Sequence, residues 1–284
     1  MTQEKGLSHN TVDAYRRDLT RYLQSLAQQD VHSLDQVQPE HITALLQRLC
    51  DTGLSPATLA RNLSSIKRFH GFLVLRGGCR YNPAESLEAP KLERKLPDFL
   101  TVEEIARLMQ GPSTDEPLGL RDRAILELLY ASGLRVSELT SLERTHLLFS
   151  AGLLRILGKG ARERLVPVGR QAITCVETYL REGRPFLAGP QSDETVFLNF
   201  QGRSLSRMSI WKIIQSAAKK ADLEKHISPH TLRHSFATHL LKGGANLRDI
   251  QELLGHADIS TTQIYAHIDT KYLKEVHRTY HPRG

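Results

Sequence analysis

Residues 228–244, SPHTLRHSFATHLLKGG, contain the strongest helix signals in this chain. A serine followed by proline is a typical helix start, because the serine side chain caps the helix and proline suits its first position. Two consecutive glycines end the segment. The predicted helix places His230 and Arg233 three residues apart on one face, where an imidazole and a guanidinium can hold an anion. The same spacing also suits two surface residues of a purely structural helix.

A metal site is a second interpretation of this helix, because His230 and His234 are four residues apart. However, no glutamate stands in an HExxH arrangement, and no carboxylate lies among these histidines. Arg233 beside them would also repel a divalent cation. The pattern therefore favours an anion, and we expect neither a metal ion nor another cofactor.

Two further helix signals follow downstream. Asn246 is a cap for a short helix that ends at Gly255, and His256 comes directly after that helix. A capping box over residues 260–263 then predicts a helix that carries Tyr265. A phenol has a pKa near 10, so as a nucleophile it needs a neighbouring base and nearby cations. Considered alone, Tyr265 fits a half-buried packing residue better.

The region upstream of residue 228 is also mostly helical. A capping box at Thr101 predicts a helix ending near residue 111, and a longer apolar helix over residues 120–131 stops at Gly133. In residues 152–169 the apolar residues no longer follow a helical period. They form two short runs on either side of the turn Gly158-Lys159-Gly160, which is typical of a β-hairpin. We therefore predict a mainly α protein in which the second domain contains a small antiparallel β-hairpin or sheet.

The first ninety residues are predicted to be helices separated by breakers, over residues 11–27, 39–49 and 56–77. The basic residues of these helices lie outside the apolar faces, which suits a surface exposed to solvent as well as one that faces DNA. Two prolines and alternating charges over residues 89–97 are typical of an extended linker. We predict a helical domain over residues 1–90, a linker over 91–98 and a second domain over 99–284.

Composition limits the class of protein. The 284 residues carry a formal net charge of +7, which favours a polyanionic partner, although many basic proteins bind no nucleic acid. No run approaches the roughly 18 apolar residues of a membrane span, and the start of the chain lacks a secretory signal, so we expect a cytoplasmic protein without membrane insertion. The three cysteines form no CxxC pair, which argues against a disulfide framework or a cysteine-built zinc site.

Taken together, the motifs resemble those of the tyrosine recombinases, also called phage-type integrases. The resemblance rests on ASGLRVSEL at 131–139, on GKG at 158–160 with RLVP at 164–167, and on HTLRHSFATH at 230–239, LLGH at 253–256 and STTQIY at 260–265. It covers nearly the whole chain. It implies six catalytic residues, which are present here in the family's order: Arg135, Lys159, His230, Arg233, His256 and Tyr265.

The resemblance also implies what each catalytic residue does. Tyr265 attacks the scissile phosphate and leaves a 3′-phosphotyrosine, so that rejoining needs no ATP. Arg135 and Arg233 clamp the non-bridging oxygens, because a planar fork of donors fits a phosphate. Lys159 protonates the departing 5′-oxygen, although a lysine at a hairpin tip is otherwise an ordinary surface residue.

The two histidines and one carboxylate complete the implied site. His230 accepts the proton of the tyrosine and His256 donates a hydrogen bond to the phosphate, and the sequence does not decide which contributes more. Glu138, three residues after Arg135, suits either a partner that orients that guanidinium or a surface carboxylate. With these cations offsetting the phosphate charge, a magnesium ion is chemically unnecessary.

Within this family the chain is most similar to the Xer branch, and its ending HPRG at 281–284 resembles one member in particular. The resemblance implies a four-helix, SAM-like core-binding domain and a catalytic domain that close around double-stranded DNA. It further implies a palindrome-like target site, a sister Xer recombinase in a cyclic heterotetramer, a DNA translocase as activator, and a role in chromosome dimer resolution.

Both ends of the chain carry further expectations. The tail over 269–284 would dock on a neighbouring subunit, with packing on its own domain as the alternative. The short start suggests that an initial helix is missing.

Two other functions fit parts of these patterns. A non-catalytic DNA-binding regulator on the same scaffold would keep the basic faces without requiring Tyr265 or Lys159. A type IB topoisomerase would share the chemistry but relax supercoils as a monomer. The compact two-domain layout and the tail favour a recombinase over both.

Overall fold

The computed structural model describes residues 9–90, 99–157, 163–255 and 270–284. The chain divides into two compact units, Met1–Lys95 and Leu96–Gly284. The predicted linker over 91–98 and the turn that contains Lys159 lie outside the described residues. Among the residues described, every helix is too short or too polar to cross a bilayer.

Three α-helices form the described part of the first unit: α1 (His9–Ala27), α2 (Pro39–Asp51) and α3 (Pro56–Leu75), with a 3-10 turn over Leu34–Gln36. The three helices predicted from the sequence are thereby confirmed, with ends that differ by about two residues. The predicted cap of α3 is present, since the Ser55 side chain accepts a hydrogen bond from the Thr58 backbone. The buried core of this unit comprises Tyr22, Leu26, Val37, Ile42, Leu45, Leu49, Leu59, Leu63, Ile66 and Ala84.

Several basic side chains of this unit have partners within it. Arg61 donates to the buried Asp18 carboxylate at 2.7 Å and thereby joins α3 to α1. Arg68 lies over the Tyr15 ring, 5.8 Å from its centroid. Arg61 and Arg68 therefore contribute to helix packing, whether their exposed parts face solvent or DNA.

The second unit is built from nine helices and one small sheet in its described residues. The helices are α4 (Val102–Gln110), α5 (Pro117–Ser132), α6 (Val136–Thr140), α7 (Arg170–Thr178), α8 (Arg184–Leu187), α9 (Arg207–Lys220), α10 (Pro229–Gly243), α11 (Leu247–Leu254) and α12 (Thr270–Tyr280). A π-helical turn over Tyr179–Gly183 joins α7 to α8. The sequence patterns predict α4, α5, α10 and α11, and the structure confirms them, whereas those patterns do not predict α7, α8 and α9.

The sheet is antiparallel, with β1 (Leu147–Leu148), β2 (Leu153–Leu157) and β3 (Glu163–Pro167) in that order. In β2 and β3, Ile156 pairs with Arg164 and Leu157 with Glu163. The predicted hairpin is therefore confirmed, and β1 is an additional strand. Because these two strands flank residues 158–162, the sheet delimits the segment that contains Lys159.

Helix α5 forms the centre of the second unit, since all of its residues from Ala124 to Ser132 are buried. It ends at Gly133, which has a left-handed backbone with φ of +58°. A smaller apolar cluster joins α10, α11 and α12 and includes Phe236, Leu240, Ile250, Leu253, Leu273 and Val276. The tail helix α12 thus packs on its own unit, as the alternative to docking on a neighbouring subunit expected. A role of the tail in joining subunits stays a prediction.

Candidate active site

The start of α10 is fixed by local hydrogen bonds. The Ser228 side chain accepts a hydrogen bond from the Thr231 backbone N–H at 3.2 Å, and Pro229 occupies the first turn. His230 follows in this first turn and is exposed, while Arg233 lies one turn later and is half-buried. The predicted helical pair of imidazole and guanidinium is therefore present on α10.

Arg233 is held by two backbone carbonyls. Its Nη1 donates to the Gly133 carbonyl and its Nη2 donates to the Leu254 carbonyl at 2.7 Å. Both carbonyls lie at the C-terminal ends of helices, α5 and α11, where carbonyl groups lack helical partners and carry partial negative charge. The guanidinium is thereby fixed between two helix ends without a carboxylate of its own.

Arg135 lies beside it, at the N-terminal cap of α6. Its Nη1 donates to Glu138 Oε1 at 3.0 Å and to the Leu254 carbonyl at 3.4 Å, and its Nη2 donates to the Gly255 carbonyl at 3.1 Å. The side chain remains 39% exposed. Arg135 and Arg233 therefore share one carbonyl group, and an anion has access to Arg135 from solvent.

Glu138 is buried and bonded to Arg135, so of its two interpretations the structure favours the partner that orients this guanidinium over a surface carboxylate. In addition to its bond from Arg135, it receives a bidentate pair from Arg164, whose Nη1 and Nη2 lie 2.8 and 3.0 Å from Oε1 and Oε2. The sequence assigns no role to Arg164. Its position four residues after the turn Gly158-Lys159-Gly160, together with a glutamate three residues after Arg135, is the signal that could have identified it.

The charges of this cluster remain in place despite burial. Burial and the charge of Arg135 lower the pKa of Arg233 to about 10, so Arg233 stays protonated at neutral pH. Burial alone would raise the pKa of Glu138, but the hydrogen bonds and charge of Arg164, together with Arg135, lower it below its usual value. These three guanidiniums and one carboxylate leave two positive charges without a partner carboxylate, which suits a phosphate diester.

The remaining three predicted residues, Lys159, His256 and Tyr265, lie outside the described residues. The described chain shows only that β2 and β3 flank the first and that Gly255 directly precedes the second. The structure thus brings Arg135 and Arg233 together and places His230 one turn before Arg233 on α10. The grouping of all six residues stays a prediction. Within the four described ranges, no three histidine, cysteine or carboxylate side chains are close enough to hold a metal ion.

Two family models match this chain. The model of the phage integrase family matches residues 98–271, and that of the phage integrase N-terminal SAM-like domain matches residues 1–77. The chain is 49% identical to the tyrosine recombinase XerD of Chlorobaculum tepidum, covering 100% of this chain and 94% of that one. It is 44% identical to the tyrosine recombinase XerD of Staphylococcus aureus, covering 99% of this chain and 95% of that one.

Solved structures share the fold. The XerH site-specific recombinase, in a post-cleavage complex with palindromic difH substrate, superposes with a TM-score of 0.74 at 23% identity, covering 93% of this chain and 78% of that chain. The XerA recombinase matches with a TM-score of 0.53 at 26% identity, covering 100% and 96%. A lambda integrase dimer bound to a core site gives a TM-score of 0.71 at 18% identity, covering 97% and 90%.

Proposed function

The chain belongs to the phage integrase family and is a tyrosine recombinase, a site-specific DNA recombinase, and we propose that Tyr265 is the nucleophile with which it cuts DNA. The observation that carries this proposal is the pair of guanidiniums, Arg135 and Arg233, that share the Leu254 carbonyl. Such a pair is suited to the two non-bridging oxygens of one phosphate.

Each step of the proposed cleavage has a residue. The Tyr265 oxygen forms a bond to phosphorus while the bond to the 5′-oxygen breaks. The phenol proton passes to His230 and the leaving oxygen takes a proton from Lys159, so the products are a 3′-phosphotyrosine and a free 5′-hydroxyl. Arg135 and Arg233, with a hydrogen bond from His256, stabilise the charge that develops on the phosphate oxygens. Rejoining is the reverse reaction with a 5′-hydroxyl of another strand.

The partners belong to the same proposal. Double-stranded DNA with a palindrome-like site is its substrate, and a second Xer recombinase joins it in a cyclic heterotetramer in which tails over 269–284 link subunits. A DNA translocase activates the assembly, which acts in the cytoplasm to resolve chromosome dimers at cell division. The names of the XerD relatives and of the XerH complex with palindromic difH DNA support this proposal.

The test is covalent capture on DNA. Genomic fragments that the protein binds are selected and sequenced, and a duplex of that site is nicked next to the scissile phosphate so that cleavage cannot be reversed. We expect the wild-type protein to form an adduct that survives denaturation, and Tyr265→Phe to bind the duplex without forming it. Tyr81→Phe, at a half-exposed tyrosine of the first unit, is the matched control and should trap normally. An adduct with Tyr265→Phe equal to that of the wild type would contradict the assignment.

A second assay separates the recombinase from a topoisomerase. Together with the proposed sister recombinase and translocase, the protein should recombine a plasmid with two copies of the selected site. A supercoiled plasmid without the site should remain supercoiled. Relaxation of the plasmid without the site would favour topoisomerase activity instead.

A further inference from the structure

Arg164 is a basic residue of the site with no role in the cleavage steps above. It lies on β3 opposite Ile156, and its side chain is 19% exposed. Both of its terminal nitrogens donate to the Glu138 carboxylate. The structure therefore ties the strand that follows the Lys159 segment to the short helix that follows Arg135.

The carboxylate of Glu138 is saturated by this arrangement. Its Oε1 accepts from Arg164 Nη1 at 2.8 Å and from Arg135 Nη1 at 3.0 Å. Its Oε2 accepts from Arg164 Nη2 at 3.0 Å and from the Arg135 backbone N–H at 2.8 Å. Because all four partners are donors, the arrangement requires the ionised carboxylate.

Arg164 is the partner that keeps this carboxylate ionised in a buried position. Arg135 alone is less suited to do so, because its guanidinium is divided between Glu138 and two backbone carbonyls and is half-exposed. The positive charge of Arg233 acts on the same cluster, and His146 and Arg155 line a small cavity beside Glu138. Without Arg164, burial would favour the protonated acid, which donates one hydrogen bond and offers Arg135 a poorer acceptor.

A direct contact of Arg164 with phosphate is not suggested by this geometry. Its Nη1 and Nη2 both donate to Glu138, and its Nε is buried without a hydrogen-bond partner among the described residues. Gly255 packs against this nitrogen so closely that a Cβ atom there would lie 2.8 Å from it. The side chain is enclosed, unlike that of Arg135.

We propose that Arg164 is a positioning residue for DNA cleavage, which aligns the Glu138 carboxylate so that Arg135 is held in place for the scissile phosphate. This inference rests on the proposed function. Arg164 acts through Glu138, and its contribution appears in the rate of cleavage and not in the affinity for DNA.

The first test compares single-turnover rates of adduct formation on the nicked duplex of the selected site. We expect Arg164→Met to slow trapping by about 10- to 100-fold, as misplacement of a catalytic group does, while the dissociation constant for the same duplex stays within about threefold. Arg155→Met is the matched control on the adjacent strand, because Arg155 lines the small cavity beside Glu138 but its Nε lies 4.0 Å from the Glu163 carboxylate instead. An Arg164→Met rate equal to that of Arg155→Met would overturn the proposal.

The second readout is the pH dependence of the trapping rate. In Arg164→Met the buried Glu138 should take up a proton as pH falls from about 8 to 6, so the deficit relative to wild type should increase. Arg164→Lys keeps a positive charge without the bidentate geometry, so it should be slower than wild type but have the same pH profile. His146 and the catalytic histidines are present in every variant and cancel in these ratios. A deficit of Arg164→Met that does not change with pH would contradict the role assigned to Glu138.

The third readout is a double-mutant cycle with Glu138→Gln. If Arg164 acts through Glu138, adding Arg164→Met to Glu138→Gln should slow trapping no further. Additive losses would show that Arg164 acts by another route and would overturn the proposal. Thermal unfolding identifies variants that fail to fold. If Arg164→Met is one of them, the comparison of rates is made with Arg164→Lys instead. If the wild-type protein traps no DNA, the proposed function fails and not this inference alone.

Discussion

In the second unit, two clusters of basic side chains contact the C-terminal end of α5, and their surroundings favour opposite charge states. In the arginine cluster, formed by Arg135, Arg164 and Arg233, a carboxylate and helix-end carbonyls stabilise the charged form. In the histidine cluster, formed by His239, His277 and His281, burial lowers the pKa of every ring.

The contacts of the histidine cluster are those of neutral rings. The Tyr130 hydroxyl lies 2.8 Å from His239 Nδ1, and His277 Nε2 donates to the Ala131 carbonyl at 2.7 Å. His281 stacks on His277 with ring centroids 4.9 Å apart, and its Nδ1 accepts from the Arg283 backbone. These rings fix α12 to α5 and α10 as packing groups.

The difference between the clusters is the supply of acceptors. Glu138 and the helix-end carbonyls of Gly133, Leu254 and Gly255 accept from the guanidiniums. In the described residues, no carboxylate forms an ion pair with the three histidines. A buried cation needs such partners, and without them the neutral form prevails. Of these two clusters, only the arginine cluster therefore offers positive charge to a phosphate.

Removing Arg233 should have the largest effect on function. Arg233→Ala is expected to reduce the single-turnover rate of adduct formation about 10²- to 10³-fold, because a preorganised donor to the transition state is lost. Arg233→Lys should recover little of it, since an ammonium does not reproduce the planar fork. Arg181→Ala, at an exposed arginine paired with Glu182, is the control and should react normally. A rate near that of wild type for Arg233→Ala would remove Arg233 from the site.

Gly133→Ala should disturb both clusters. The Gly133 carbonyl accepts from Arg233, and a Cβ atom at this position would lie 2.6 Å from the Phe236 ring, which packs against His277 and His281. With the left-handed backbone, the expected loss in the free energy of unfolding is about 3 kcal/mol. The matched control is Gly152→Ala, which has φ of +64° but no atom nearer than 3.9 Å, and should lose only about 1 to 2 kcal/mol. Urea unfolding followed by Trp211, the single tryptophan, measures both. Equal losses would show that packing against Phe236 contributes nothing.

The histidine cluster predicts a pH dependence of stability. Since the folded pKa of His281 lies well below its unfolded value near 6.5, stability is complete above about pH 6.5 and falls as pH decreases below it. The slope approaches about 1.4 kcal/mol per pH unit for each such histidine. His281→Phe should make the curve shallower, and His226→Phe, at an exposed histidine, should not. Identical slopes for wild type and His281→Phe would mean that His281 is not buried neutral.

Tyr130→Phe should have the smallest effect. It removes the hydroxyl that is hydrogen-bonded to His239, for an expected loss of about 1 kcal/mol in the free energy of unfolding at pH 8. The rate of adduct formation should stay unchanged, because the arginine cluster makes no contact with this hydroxyl in the described residues. A loss of cleavage without a loss of stability would show that the two clusters are coupled.

The sequence alone determined the elements whose ends are set locally. The caps at Ser55, Thr101, Ser228 and Asn246 are present as predicted, because each joins atoms three residues apart and forms whatever the rest of the chain does. The hairpin and the motifs that resemble the tyrosine recombinases were equally readable. Helices α7, α8 and α9 were not predicted, since their interior packing outweighs weak local signals.

Only the tertiary structure decided how charges are grouped. Arg164 reaches Glu138 across 26 residues of chain, and Arg135 reaches the Leu254 carbonyl across 119. Whether a histidine is buried and neutral, or a carboxylate is buried and ionised, depends on which distant donors and acceptors packing brings to it. The sequence thus determined which residue types were available for a phosphate site. The packing of α5, α10 and α11 decided which of them share one acceptor, because desolvation and charge pairing depend on the groups that the folded structure brings together.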